Sequence, residues 1–440
     1  MSEIKVRFAP SPTGRMHIGN TRTALFNWLL SQKLGGKFML RIDDTDKERS
    51  KKEYEDGIRE ALQWLGLSWS EEARQSARFE RYRAVTEKLI ADGRIYPCYE
   101  TAEELEMMRK KLMMKGLPPI YNRQAQNLTA EQKAAYEAEG RHPHYRFKLV
   151  DGPIEWTDLV RGKCHYEAAK LSDPIVIRED GSYLYHLPSV IDDVDFSITH
   201  IVRGEDHVTN TASQIQMFEA IGGKIPVFAH LPLLTGKEGK LSKRLGSVGV
   251  AELRDEGIEA MSICSYLAKL GTSEAIEPFY DLSALAATLD LSKLGRSQPK
   301  FSVEDLTHFN TKLVRNLPYE KVAGRINADA DFWYAVRGNL AVVDDIEQWQ
   351  AICHEQVVPQ IEDKELTDIA ASLLPPEPWD ENTFKLWSDE VKAASGRKGK
   401  ELFHPLRKAV TGADNGPELK ILLPLIGREK VYRRLLGQTA

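Results

Sequence analysis

Apolar and polar positions alternate over Ile4-Lys5-Val6-Arg7-Phe8, the period of a half-buried strand. Pro10-Ser11-Pro12-Thr13-Gly14 ends it, because two prolines withhold ladder donors. From Thr21 to Leu30 the spacing of Ala24, Leu25, Trp28 and Leu29 predicts a helix with one buried face. A glycine turn at Gly35-Gly36 leads to a strand over Lys37 to Ile42, and Asp43-Asp44-Thr45-Asp46 closes it. Helical patterns follow over 52–65, 78–91 and 101–115. Gly116-Leu117-Pro118-Pro119 breaks this rhythm, and 116–186 reads as short β-rich pieces (145–150, 175–178) among polar turns. The α/β alternation then resumes, with strands over 197–203 and 227–234 around a helix over 211–221. Beyond about 250, helical patterns such as 251–270 and 319–328 dominate. The economical arrangement is an α/β domain interrupted by an α+β insertion and followed by an all-α region.

Composition narrows this picture without changing it. With 440 residues, 42% hydrophobic and 28% charged, the chain suits several globular domains. Cys98, Cys164, Cys264 and Cys353 form no CxxC pair, which points away from a disulfide framework and toward a reduced, cytoplasmic setting. Neither a signal-peptide pattern nor an apolar run long enough to span a membrane is present. The net charge of −5 leaves nucleic-acid binding to local distribution. Residues 341–390 hold 13 acidic and 2 basic side chains, and 391–434 hold 4 acidic and 11 basic. The basic stretch fits a solvated helical face or an RNA-backbone contact equally well.

Two loops carry chemistry. A strand, a tight loop and a helix start, with His17 and Gly19 at the turn, present free backbone N–H groups and a helix dipole to an anion. The aspartates after 42 sit at the carboxyl end of a parallel strand, where open α/β sheets bind ligands. Far along the chain, Lys240-Leu241-Ser242-Lys243-Arg244 follows the last sheet strand and supplies point charges suited to phosphates.

These loops and their flanks carry a resemblance. Pro10-Ser11-Pro12-Thr13-Gly14-Arg15-Met16-His17-Ile18-Gly19-Asn20 resembles the HIGH motif of class I aminoacyl-tRNA synthetases, and Lys240 to Arg244 their KMSKS motif. Arg7 to Gly14, Leu40 to Asp46 and Ile201-Val202-Arg203-Gly204-Glu205-Asp206-His207 are similar to the bacterial glutamyl-tRNA synthetase branch, over nearly the whole chain. The resemblance implies a Rossmann-type catalytic domain in two halves, 1–95 and 187–248. It also implies an acceptor-stem-binding module at 96–186, a stem-contact segment at 249–315 and a helical anticodon-binding region at 316–440. The implied activity is glutamate–tRNA ligation: ATP and L-glutamate give glutamyl-adenylate, and the glutamyl group passes to tRNA(Glu). A non-discriminating form that also charges tRNA(Gln) is the alternative.

By the same resemblance, His17, Lys240, Lys243 and Arg244 are catalytic. Ala9, His17, Gly19, Asp206, Leu233, Leu234 and Lys243 bind ATP, with Mg²⁺ on its phosphates. Arg7, Ala9, Ser11, Asp43, Tyr185, Ser189 and Arg203 bind glutamate. Asp43 and Ser189 depart from the glutamate and asparagine frequent in relatives. Some relatives hold zinc in the insertion through a CxC pair and a later Cys or His. Cys98-Tyr99-Glu100 keeps one of those ligands and Asn122-Arg123-Gln124 supplies none, so no zinc is expected. The family is implied to be monomeric.

Overall fold

The structure, a computed structural model, describes residues 3–236, 248–380 and 382–440. They fall into two compact units, 1–254 with 263–302, and 255–262 with 303–440.

The first unit is built on a parallel sheet. Strands β1 (Lys5–Phe8), β2 (Lys37–Ile42) and β3 (Glu71–Arg74) run outward in one direction. The insertion contributes β4 (Ile95–Cys98), β5 (His144–Phe147), β6 (Pro153–Asp158), β7 (Gly162–Glu167) and β8 (Ile175–Ile177). The chain then returns to the far side of β1 with β9 (His200–Gly204) and β10 (Val227–Leu231), giving the order β10-β9-β1-β2-β3. The order therefore reverses between β1 and β9. The crevice beyond their carboxyl ends is where a doubly wound sheet accepts a ligand.

Helix α1 (Ile18–Lys33) follows β1 and is buried nearly all round, with Ala24, Leu25, Phe26, Trp28 and Leu29 enclosed. Its polar side chains fix its position. Asn27 donates to the Val202 carbonyl at 2.9 Å, and Arg22 donates to the Pro232 and Leu270 carbonyls at 2.7 and 3.0 Å. Buried backbone acceptors are thereby satisfied, and the helix start is held against β9 and the end of β10.

The insertion is less separate than its sequence suggests. Strands β4, β5 and β8 make one antiparallel sheet and β6–β7 a hairpin. Ile95, Phe147, Ile154 and Val176 nevertheless share one core with Met39, Ile201 and Phe228 of the catalytic sheet and with Phe218 of the helix between β9 and β10. Only an outer cluster of Tyr96, Cys98 and Ala125, with Tyr121 and Leu128, packs apart from it.

Sequence periodicity fails at four places. Strand β3 and the β6–β7 hairpin are rich in polar residues and carry a weak apolar signal, and β3 lies at the sheet edge. The helix expected over 251–270 is two, Val250–Asp255 and Ala260–Lys269, separated at Gly257, whose φ of +79° suits only glycine without strain. The helix expected over 319–328 is a single turn at Tyr319–Lys321. The next helix starts only at Ala330, where Asp329 accepts from the Phe332 N–H at 2.8 Å. The stem-contact segment expected at 249–315 also divides, since 263–302 pack with the catalytic unit.

The second unit is helical, with Trp333, Trp387, Leu406 and Arg434 in its interior. Arg434 is fully buried and donates to the carbonyls of Ile352, Glu355, Val410 and Ala440 at 2.8–3.1 Å. Lys408 pairs with Glu362 and Asp414, and Arg397 with Asp363 and Glu365. Much of the basic stretch is thus committed to the acidic stretch and to backbone carbonyls.

Candidate active site

A cavity of about 510 Å³ opens at the β1/β9 reversal. Every expected site residue among the described ones lines it: Arg7, Ala9, Ser11, His17, Gly19, Asp43, Tyr185, Ser189, Arg203, Asp206, Leu233 and Leu234. Lys240, Lys243 and Arg244 lie outside the described residues. The described chain stops at Gly236, in a short strand paired with Lys300–Phe301, and resumes at Val248. Val248 accepts from the Ile18 N–H at 3.2 Å, and Val250 donates to the Met16 carbonyl at 3.2 Å. The segment from Val248 is therefore docked on the His17 turn.

His17 is the N-cap of α1. Its Nδ1 accepts from the Gly19 N–H at 3.1 Å, so Nδ1 carries no proton and Nε2 is left as a donor. Burial holds the imidazole below its ordinary pKa, which favours this neutral form. Gly19 sits tightly against the ring: a Cβ there would meet His17 at 3.1–3.2 Å, closer than ordinary contact.

The amino-acid end is dominated by arginines in two different states. Arg7 forms a two-point pair with Asp193, at 3.0 and 3.3 Å. Arg41, almost fully buried, reaches Asp193 at 2.7 Å and clasps Asp43 at 2.7 and 3.1 Å. Burial would raise Asp193, yet Arg7 and Arg41 together hold it below the usual carboxylate range. Burial pushes Asp43 up to about 6 against the pull of Arg41. The other aspartates after β2 are also engaged: Asp44 accepts from the Ser76 N–H and hydroxyl at 2.8 and 2.7 Å, and Asp46 binds Arg49.

Arg203 is different. It is 9% exposed and takes no carboxylate partner among the described residues. Its Nη2 donates to Thr211 Oγ1 at 2.6 Å and its Nε to His230 Nε2 at 3.3 Å. Burial, and then the neighbouring Arg7 charge, bring it down to about 10. Arg203 therefore lines the cavity as a buried guanidinium with no carboxylate in ion-pair range among the described residues. Tyr185 stands at the rim, its hydroxyl accepting from Asn210 and lying 3.4 Å from His207 Nδ1. Ser189 contributes its backbone carbonyl, 3.5 Å from Arg41 Nη1.

Three titratable lining residues were not assigned to the site from the sequence. Arg22 is 2% exposed, and burial brings it down to about 10. It looks like an ordinary helix-surface arginine in the sequence. Arg41 and His207 sit beside motif residues, and only tertiary structure turns them toward the cavity.

In the insertion, Cys98, Glu100 and His144 bring ligand atoms within 4.8 Å of one another, where sequence spacing had shown only Cys98. Glu100 accepts from Tyr121 Oη at 2.7 Å and Gln124 Nε2 at 3.0 Å. Its second oxygen and His144 Nε2 are buried without a protein partner. Burial pushes the Cys98 thiol up to about 12 and His144 down to about 4, so the thiol is protonated and the imidazole neutral at physiological pH.

Residues 3–308 match the family model described as "tRNA synthetases class I (E and Q), catalytic domain", and 340–438 match "Anticodon binding domain". The chain belongs to the class I glutamyl- and glutaminyl-tRNA synthetase family. ATP is the co-substrate of such enzymes, so the chain is a class I aminoacyl-tRNA ligase. Its similarity runs to the glutamate branch. It is 52% identical to "Glutamate--tRNA ligase 1" of Maricaulis maris, across 99% of this chain and 100% of that protein. It is 54% identical to "Glutamate--tRNA ligase" of Azospirillum brasilense, with the same coverage. A crystal structure of a glutamate tRNA ligase from Elizabethkingia meningosepticum, in complex with its amino acid, superposes with a TM-score of 0.83. It is 27% identical and covers 99% of this chain and 98% of that one.

Proposed function

We propose that this cavity activates L-glutamate with ATP and transfers it to the 3′-terminal adenosine of tRNA(Glu), the chain acting as a cytoplasmic monomer. The carrying observation is Arg203, a buried cation with no carboxylate partner among the described residues, which lines the same cavity as the His17 turn. Its fork suits the side-chain carboxylate of glutamate. Arg7 supports it from the paired side, with Ser11, Tyr185 and Ser189 around the substrate and Asp43 toward the α-amino group.

ATP enters as its Mg²⁺ complex. An oxygen of the glutamate α-carboxylate attacks the α-phosphorus, the bond to the β-phosphate breaks, and pyrophosphate leaves. A ribose hydroxyl of the terminal adenosine then attacks the acyl carbon and AMP departs. No protein nucleophile is needed, so the residues supply position and charge. His17 Nε2–H donates to a phosphate oxygen, and the backbone at Gly19 lies close against the nucleotide. Ala9, Asp206, Leu233 and Leu234 form the adenosine wall. Lys243, supported by Lys240 and Arg244, offsets the charge that grows on the leaving pyrophosphate.

We also propose that the insertion carries no structural zinc. Cys98, Glu100 and His144 are three donors, one short of a closed tetrahedral site. Metal analysis of the purified protein is expected to find well under one zinc per chain. One zinc per chain, retained through dialysis, contradicts this.

The direct test of function is aminoacylation of purified tRNA(Glu) and tRNA(Gln) with labelled glutamate, described below. No observation favours charging of tRNA(Gln).

A further inference from the structure

We infer that Asp158 and His230 are positioning residues that fix Arg203 for the glutamate side chain, through a defined imidazole tautomer. This rests on the reading of Arg203 as the carboxylate receptor.

The geometry is a chain of three buried groups. Asp158 closes β6 in the insertion hairpin and is 2% exposed. Its Oδ1 accepts from the Val160 and Arg161 N–H groups at 3.0 Å each and from the His230 N–H at 3.2 Å. Its Oδ2 lies 2.6 Å from His230 Nδ1. Burial would raise Asp158, but His230 and these backbone donors hold it below its usual range, so it is a carboxylate and only accepts. The proton between them therefore sits on His230 Nδ1. Burial keeps His230, on β10, below its ordinary pKa, so the ring is neutral and Nε2 is a bare acceptor. That acceptor faces Arg203 Nε at 3.3 Å and the Thr211 hydroxyl at 2.9 Å.

An arginine without a carboxylate partner needs its direction set by something else. Here the acceptor that sets it is neutral, so the guanidinium charge stays available to substrate. A carboxylate in its place would neutralise Arg203 and close the receptor. The hairpin supplying Asp158 also reaches the catalytic sheet through Leu159, whose N–H donates to the Phe228 carbonyl at 2.9 Å. It makes a further contact through Arg161, which pairs with Glu205 at 2.9 Å. The insertion thus contributes to the amino-acid pocket as well as to its own sheet.

Asp158→Asn tests this with little change of shape. Its Oδ1 still serves the three backbone donors, but its amide N–H now faces His230 Nδ1. The imidazole must carry its proton on Nε2, which turns an N–H against the N–H of Arg203. The KM for glutamate is expected to rise about 10–100-fold, the range seen when an outer partner that fixes a histidine is lost, with the KM for ATP within about twofold. Nitrogen NMR of labelled histidine should show the His230 proton moving from Nδ1 to Nε2. His230→Leu, which removes the acceptor, should raise the glutamate KM likewise. His230→Gln, which keeps an acceptor, should stay near wild type. In the His230→Leu background, Asp158→Asn should add nothing, because no imidazole is left to re-protonate.

The inference is overturned if His230→Leu and Asp158→Asn leave the glutamate KM unchanged, or raise both KM values equally, while Arg203→Met raises the glutamate KM alone. If Arg203→Met itself leaves the glutamate KM unchanged, the reading of Arg203 fails and the positioning role fails with it.

Discussion

Replacing Arg203 by Met should lower kcat/KM for glutamate by about 10³ and at the same time raise the melting temperature of the ligand-free protein by about 1–3 °C. The two effects have one cause. Arg203 is 9% exposed and holds a cation among Thr211, His230 and the Phe228 ring, with no carboxylate to offset its lost hydration. Methionine fills similar volume without that penalty. It leaves no orphaned group behind, because the Thr211 hydroxyl and His230 Nε2 are already 2.9 Å apart. Binding loses a two-point charge-assisted contact that only a carboxylate substrate can complete. Calorimetry of the ligand-free variant and steady-state kinetics measure the two effects separately. A lower melting temperature, with glutamate use preserved, would show that Arg203 is a packing residue.

His17→Asn and Lys243→Ala should each slow adenylate formation by about 10²–10³, the usual loss for one preorganised contact to developing charge. For His17 the choice of Asn matters. Asparagine is among the best N-caps, so α1 keeps its start, and the melting temperature should stay near that of wild type. Asparagine nevertheless withdraws the Nε2–H donor that the Gly19 contact leaves free in His17. Pyrophosphate exchange at saturating glutamate reads the step itself. A wild-type exchange rate in His17→Asn would reduce His17 to a helix cap. A wild-type rate in Lys243→Ala would remove Lys243 from the chemistry.

How much of this was legible in the chain varies with the physical signal. Strong periodic segments were readable: β1, α1 and β2 carry dense apolar spacing, and their order puts His17 at the start of α1 and the Asp43 cluster after β2. The sequence placed a ligand crevice at the carboxyl end of the strand over 37–42, and the strand order of the structure located it at the β1/β9 reversal. Elements whose burial is shared or one-sided were missed. The β6–β7 hairpin alternates polar residues, and its Trp156 and Tyr166 stack on each other at 5.6 Å. With the hairpin went Asp158, and so the support of Arg203.

Arg7 shows a different limit. The resemblance implied a glutamate contact for it. In the structure it is paired with Asp193, a residue 186 positions away. Pairing state is a property of tertiary neighbours, and no spacing rule reports it. The same holds for the basic segment after 391, where Arg434 is turned inward and Lys408 is paired with Glu362 and Asp414. The Arg434 charge counts toward composition but is held in the interior.

The most direct measurement is aminoacylation of purified tRNA(Glu) and tRNA(Gln) by the full chain with labelled glutamate and, separately, labelled glutamine. Glutamate should be charged onto tRNA(Glu) in an ATP-dependent reaction, and glutamine should be rejected by about 10⁴, because an amide cannot satisfy the buried Arg203 cation. Charging of glutamine at a comparable rate, or no charging of tRNA(Glu) by a folded chain, would contradict a site built around that cation.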